Sequence, residues 1–522
     1  MNYAAAIRSE PAAEGEQAMH SGRESRRNFL RNLALSPATA RSSSQAAGGE
    51  YSCPKHPERV SSKIMQTTPS IGMVSRGWQP TSPIRAVHKG ALSSLMTTRN
   101  QSLNKRAGIV EFILCISLLL FARFLWASPP PDEYLVYFGT YSGFTYMNEG
   151  LPAGGSHSKG IYVSRFRPAT GEVSPPELAA EIVNPSFLAV HPNHRFVYAV
   201  TEDPLSLGPN FDHASYVSAF AINPATGKLR LLNIMPTGGT STCYVSIDKT
   251  GSYLMFANFG SSSVTVSRIR DDGFVGEQTA FMKHVGSGKD PAFQSKSHPH
   301  SIDVSPDNRF AIVSDLGVDK VFVYKFDAAT GQLSPDQPPF VEAEAGGGPR
   351  HFTFDSQGKF GYSLHEMSGF ITVLAWNARN GSFTKIQDAK SLQPYFEGAN
   401  DSAEIVVHPN GKFLYESNRR FRGPDLWGPD SIGVYAIDAA RGTLTEVEQV
   451  APGGTMPRNF AIDPTGAYLF SANEFSGNVV LFKVDGASGR LTPTTTQLKI
   501  DVPVCVVFVP PHRDTLTGIQ KE

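Results

Sequence analysis

From about residue 131 onward, short runs of alternating apolar and polar residues are separated by clusters of Pro, Asn, Asp, Ser and Gly. A period of two marks half-buried β-strands, and the punctuating residues mark turns, so the pattern predicts a succession of hairpins. One hairpin recurs. Its copies begin at Pro185, Thr242, Pro299, Pro349, Ser402 and Pro457, and each has a turn anchor seven residues later. Those turn anchors, at 192, 249, 306, 356, 409 and 464, are spaced by 57, 57, 50, 53 and 55 residues. A second hairpin alternates with the first and turns at segments such as Ala169-Thr170-Gly171, Ala225-Thr226-Gly227 and Ala329-Thr330-Gly331.

Self-similarity at this period indicates a repeat architecture. There are seven second hairpins but six complete first ones. The seventh is split. Pro503 to Pro510 repeats the anchor spacing, and Tyr134 to Gly139 reads as its missing partner strand. A four-stranded blade shared by both ends of the chain closes a ring and leaves no free sheet edge. The expected fold is all-β, a seven-bladed β-propeller over residues 131–512 with one blade closed by both termini, then a tail at 513–522.

The 47 Gly, 38 Pro, 33 Phe and 17 Tyr among 522 residues suit such a turn-rich β-protein. Lys+Arg and Asp+Glu both number 47, but the balance is uneven along the chain. Residues 1–106 hold 15 basic and 6 acidic residues, leaving 32 basic and 41 acidic in the remainder. This basic, aperiodic stretch is expected to be a disordered extension or presequence. Within it, Arg26-Arg27 in Ser25 to Leu30 is similar to a twin-arginine export signal. A stronger signal covers residues 107–128. Arg99, Lys105 and Arg106 precede the apolar run Phe112 to Ala122, and Ala127-Ser128-Pro129 follows. That order is the order of a secretory signal peptide, and residues 107–127 are also long enough to anchor the chain in a membrane if uncleaved. Met96 is an alternative start. The expected location is therefore outside the cytosol, in the periplasm or secreted; it is cytoplasmic if the segment is not a signal. An acidic ring argues against nucleic acid as partner.

The repeat register also predicts which side chains meet. The residue after the first anchor starts the strand nearest the central channel; these are Ser186, Cys243, His300, Arg350, Ala403, Arg458 and Val504. The next strand returns to the same face, ten residues past the turn anchor, at Glu202, Phe259, Leu316, Glu366, Arg419 and Glu474. His300, Arg350, Glu366 and Arg419 thus belong to three successive blades and are expected to converge on one mouth. Two arginines suit a carboxylate, a phosphate or an oxyanion. Glu366 and His300 can exchange protons or activate water.

Several segments resemble the lactonase family of seven-bladed propellers. They are Gly346 to Phe352, Leu364 to Met367, Glu416 to Arg419, Met456 to Phe460, Phe138 to Tyr141, Ser314 to Val321 and Ala472-Asn473. That family includes propeller-type 6-phosphogluconolactonases and a fungal carboxymuconate cycloisomerase. The resemblance implies lactone hydrolysis without a metal or organic cofactor, acting on a small anionic lactone. It implies His300, Arg350, Glu366 and Arg419 as the catalytic set, with Glu366 or His300 activating water. Arg458, His351, Asn418 and Asn473, in the same motifs, are expected to bind substrate. Cycloisomerisation of an unsaturated dicarboxylate, and a non-catalytic binding propeller, are the alternatives.

Other signals carry less. His298-Pro299-His300 lacks enough nearby ligands to predict a metal site. Gly238-Gly239 and Gly346-Gly347-Gly348 precede no helix and are expected to be turns, not phosphate loops. Cys243 and Cys505 lie at different registers in separated blades, so no disulfide is expected. Arg420 and Arg422 either add positive charge beside Arg419 or are solvated.

Overall fold

The computed structural model describes residues 132–142, 156–202, 214–392, 400–419 and 430–510. The expected presequence, the export segment at 107–128, the tail after 512, and Arg420 and Arg422 lie outside them. Among the described residues, twenty-nine strands form seven antiparallel sheets. Numbered along the chain, blades 1 to 6 start at the inner strands Pro185–Val190, Thr242–Ile247, Pro299–Val304, Pro349–Phe354, Asp401–Val407 and Pro457–Ile462. Each has four strands in sequence order. Blade 7 takes its inner strand, Pro503–Val509, from one end of the chain and the next, Tyr134–Thr140, from the other. The split blade is thus present as expected. One boundary differs. The inner strand of blade 5 begins at Asp401, one residue before the predicted anchor Ser402.

The core lies between blades. Seven apolar clusters fill the seven junctions, each drawing residues from two adjacent blades; Val136, Phe138 and Phe166 of blade 7, for example, pack on Phe470 and Leu481 of blade 6. Each fully buried Val, Leu or Phe contributes about 1.5–3 kcal/mol. Tyrosines in the second strands fasten the same junctions. The hydroxyls of Tyr137, Tyr198, Tyr362 and Tyr415 donate to the carbonyls of Gly227, Gly273, Gly442 and Gly489 in the outer turn of the following blade, at 2.6–3.1 Å. Gly442 shows why that turn needs glycine. Its φ is +73°, and a Cβ there would lie 2.4 Å from the ring of Phe360.

The entry to each inner strand aims the side chains. Asn184, Ser241, Gly348, Met456 and Val502, each just before an anchor, all have positive φ. A register shift follows in every blade and leaves the next residue unpaired. These bulges re-aim one side chain per blade. The residues displaced are the ones the repeat register singled out: Ser186, Cys243, His300, Arg350, Arg458 and Val504, with Ala403 and Glu404 together in blade 5.

Candidate active site

His300, Arg350, Glu366 and Arg419 converge. Glu366 is held at both backbone groups, its N–H donating to Gly348 at 2.8 Å and its carbonyl accepting from Ser402 of blade 5 at 3.0 Å. Its Oε2 lies 2.8 Å from Nε of Arg350, 3.5 Å from Nη2 of Arg419 and 3.9 Å from Nε2 of His300. All four residues are at least nine-tenths buried. The carboxylate therefore partly neutralises two cations in a poorly solvated site. Burial, reinforced by Arg350, lowers Arg419 to a pKa of about 10. Burial, again with Arg350, holds His300 well below the ordinary imidazole value, so its ring is neutral near pH 7.

Arg350 uses its remaining contacts below the mouth. Nη1 donates to Nε2 of His351 at 3.0 Å and to the Ala403 carbonyl. The loop leading to Arg350 is fixed by Asp319, whose carboxylate accepts from the N–H groups of Gly346 and Gly348 at 2.8 and 2.9 Å and from Gln294 at 2.6 Å. The triple glycine is thus a turn gripped by an acid.

Arg458, in the neighbouring blade 6, has hydrogen-bond and ion-pair partners of its own. Nη2 donates to Tyr141 at 2.7 Å, and Tyr141 donates to Glu202 at 2.5 Å. Glu202 and Glu474 lie 3.8 and 3.9 Å from the guanidinium. Blades 6, 7 and 1 are joined there. Tyr141 as a partner of Arg458 escaped the register reading because it sits beyond the end of its strand.

Asn418 and Asn473 are not brought to either cluster. Both are completely buried. Asn418 donates to the Ser391 carbonyl at 2.8 Å, and Asn473 to that of Pro452 at 3.2 Å. They clamp the loops that lead into their own blades, as Asp315 does by accepting from Ser297 and His298. His351 is likewise one layer below the mouth. Its ring is buried among Phe187, Tyr244 and His300, and both its nitrogens are engaged by protein groups. Its partner Glu404 was missed. The residues two past each anchor would have shown it, since Phe187, Tyr244, His351, Asn459 and Cys505 occupy that register and Glu404 joins it through the longer bulge of blade 5.

His298 packs flat on Phe259 at 4.2 Å and bonds through Nδ1 to its carbonyl at 2.9 Å. Among the described residues, no group of three or more His, Cys, Asp or Glu is placed to hold a metal. Cys243 and Cys505 are buried free thiols.

The family model described as "Lactonase, 7-bladed beta-propeller" matches residues 135–508. The chain belongs to this lactonase family. Among relatives, a protein of Bacillus subtilis named 6-phosphogluconolactonase is 31% identical over 379 residues, covering 72% of this chain and 99% of that protein. One of Formosa agariphila with the same name is 33% identical, covering 66% and 93%. Among solved structures, the Pseudomonas aeruginosa periplasmic gluconolactonase superposes with a TM-score of 0.65 at 30% identity, covering 73% of this chain and all of that one. The lactonase match spans all seven blades, so the site lies wholly within the family's fold.

Proposed function

We propose that this lactonase hydrolyses an anionic sugar lactone, with His300 as the base. The observation that carries this reading is the burial of Glu366 between Arg350 and Arg419 beside a neutral His300. A carboxylate that accepts from one guanidinium and pairs with a second is a weak base, whereas the imidazole keeps its lone pair. In the proposed reaction, a water oxygen attacks the lactone carbonyl carbon while His300 Nε2 takes its proton. The carbonyl oxygen becomes an oxyanion facing the arginines. The ring C–O bond then breaks, and the imidazolium returns the proton to the leaving alkoxide, giving the hydroxy acid. Glu366 orients both arginines and favours the transient imidazolium 3.9 Å away.

The names of the relatives support a gluconolactone skeleton. The periplasmic location of the Pseudomonas aeruginosa neighbour supports export, in agreement with the signal-like segment at 107–128. We infer that the domain works outside the cytosol; recovery of the full-length protein in the cytosolic fraction, its N-terminus intact, would refute this. Substrate class is tested by turnover of gluconolactone, 6-phosphogluconolactone and a carboxymuconate. Hydrolysis of the phosphorylated lactone with the higher kcat/KM is expected. Equal rates on the two sugar lactones remove the anionic preference, and no turnover of either overturns the hydrolase reading.

A further inference from the structure

Below the mouth, one polar chain crosses the channel through blades 4 to 7. Arg350 Nη1 meets His351 Nε2 at 3.0 Å, and His351 Nδ1 meets Glu404 Oε1 at 3.0 Å. Glu404 Oε1 also accepts from the N–H of Ile405 at 2.9 Å. Glu404 Oε2 accepts from Asn459 Nδ2, and Asn459 Oδ1 accepts from the N–H of Val506 at 2.9 Å. Burial raises Glu404 to about 7, and the donor role of His351 follows from its neighbours. A guanidinium only donates, so His351 Nε2 accepts. Burial beside Arg350 keeps His351 well below the ordinary imidazole value and therefore neutral. Its one proton is then on Nδ1, and Glu404 is the acceptor that keeps it there.

We propose that Glu404 is a positioning residue for catalysis, locking the tautomer of His351 so that its Nε2 lone pair holds Arg350 in place. This rests on the lactonase reading of the mouth. With the proton on Nε2 instead, an N–H would face the N–H of the guanidinium, and Arg350 would lose an acceptor. The rest of the guanidinium, including the Nε held by Glu366, would shift with it. The arrangement parallels the carboxylate behind a catalytic histidine, where the wrong tautomer is far more costly than the lost bond, although here the histidine serves an arginine. Glu404 makes none of the contacts among His300, Arg350, Glu366 and Arg419 at the mouth. It lines a cavity of about 660 Å³ that also includes Asp303, Lys249 and Ser356 and reaches the turn side of the ring. Glu404 therefore acts without touching the substrate.

Three variants test it: Glu404→Leu, which removes the acceptor; Glu404→Gln; and Glu404→Gln combined with Asn459→Asp. In Glu404→Gln the amide oxygen is required by Ile405 and His351, so its NH₂ faces the NH₂ of Asn459. In the double variant the new carboxyl group accepts from both that NH₂ and Val506, so every donor in the chain again meets an acceptor. Glu404→Leu and Glu404→Gln are expected to lower kcat/KM by about tenfold or more, chiefly in kcat, and the double variant to recover most of it. Imidazole ¹⁵N spectra, with His351 assigned through His351→Gln, are expected to show Nδ1–H in the wild type and the double variant and its loss in Glu404→Leu. Unchanged kinetics in folded Glu404→Leu or Glu404→Gln overturns the proposal, as does a double variant that folds without recovering. A wild-type spectrum with the proton on Nε2 overturns it irrespective of turnover. If the wild type hydrolyses no lactone, the function fails and the spectra alone decide the tautomer lock.

Discussion

Glu366 and Arg350 form an ion pair of 2.8 Å between side chains only 12% and 3% exposed. Removing one partner of a buried pair leaves the other charge without compensation, at about 3–5 kcal/mol. Glu366→Ala is therefore expected to lower stability by that order in urea unfolding. Glu366→Gln keeps the shape but not the charge. It is expected to remain folded while kcat/KM falls by roughly 100-fold. A folded Gln variant with wild-type lactone turnover would remove Glu366 from the mechanism.

The pH dependence follows from the base. His300 is held below its ordinary value of 6.5 by burial and by Arg350, with Glu366 opposing and His351 and Arg458 adding to the depression. The active, neutral form is thus lost only when pH falls through that lower value. The rate profile of kcat/KM should stay level down through pH 6.5 and bend below it. An acid limb centred at or above 6.5 that disappears in His300→Gln contradicts this.

Tyr141 both accepts from Arg458 and donates to Glu202. Tyr141→Phe leaves two charged groups short of one bond each in a nearly closed pocket. A loss of about 2–3 kcal/mol in unfolding free energy is expected, with a higher KM if Arg458 contacts substrate. An unchanged denaturation midpoint would show that Arg458 and Glu202 find each other directly.

Much of the ring was legible because repetition makes each blade a check on the others. The anchor positions located six of the seven inner strands, and the orphan hairpin at Pro503 revealed closure. His300, Arg350, Glu366 and Arg419 were found by counting from the anchors, since a bulge recurs at the same position in every blade. What failed was the assumption that residues adjacent in a motif face the same way. Asn418 and Asn473 precede mouth residues, yet their side chains turn into the blade, because neighbouring strand positions point to opposite faces. Glu404 lies two residues past the anchor Ser402, in register with His351 and Asn459; it was missed because only the position one past each anchor was read.

His365 occupies the same position as Asn418 but, among the described residues, has no hydrogen bond on either ring nitrogen. Burial lowers its pKa to about 4. The unfolded chain takes up a proton near pH 6.5 that the native ring refuses until about 4. Within that window the contribution of His365 to stability falls as pH falls, by roughly 1 kcal/mol per pH unit. His365→Leu should flatten this part of the stability profile. A slope identical to wild type would mean that the native ring is protonated in place.

Asp319 holds the Gly346–Gly348 turn through two backbone N–H groups. Asp319→Ala is expected to cost about 2–3 kcal/mol. It should also lower kcat/KM, because Arg350 is two residues beyond the released turn. A variant that loses stability but keeps full turnover would show that His351 and Ala403 suffice to hold the guanidinium.

Closure by both ends sets an order in time. Tyr134–Thr140 is buried at all seven positions, and Pro503–Val509 is its inner partner. On the ribosome this strand is made first among the described elements and matched last. Until Pro503–Val509 has been made, the nascent chain carries an apolar edge strand with an open side, the kind of edge that pairs with other chains. A product truncated before residue 503 therefore keeps this apolar edge open to pairing with other chains.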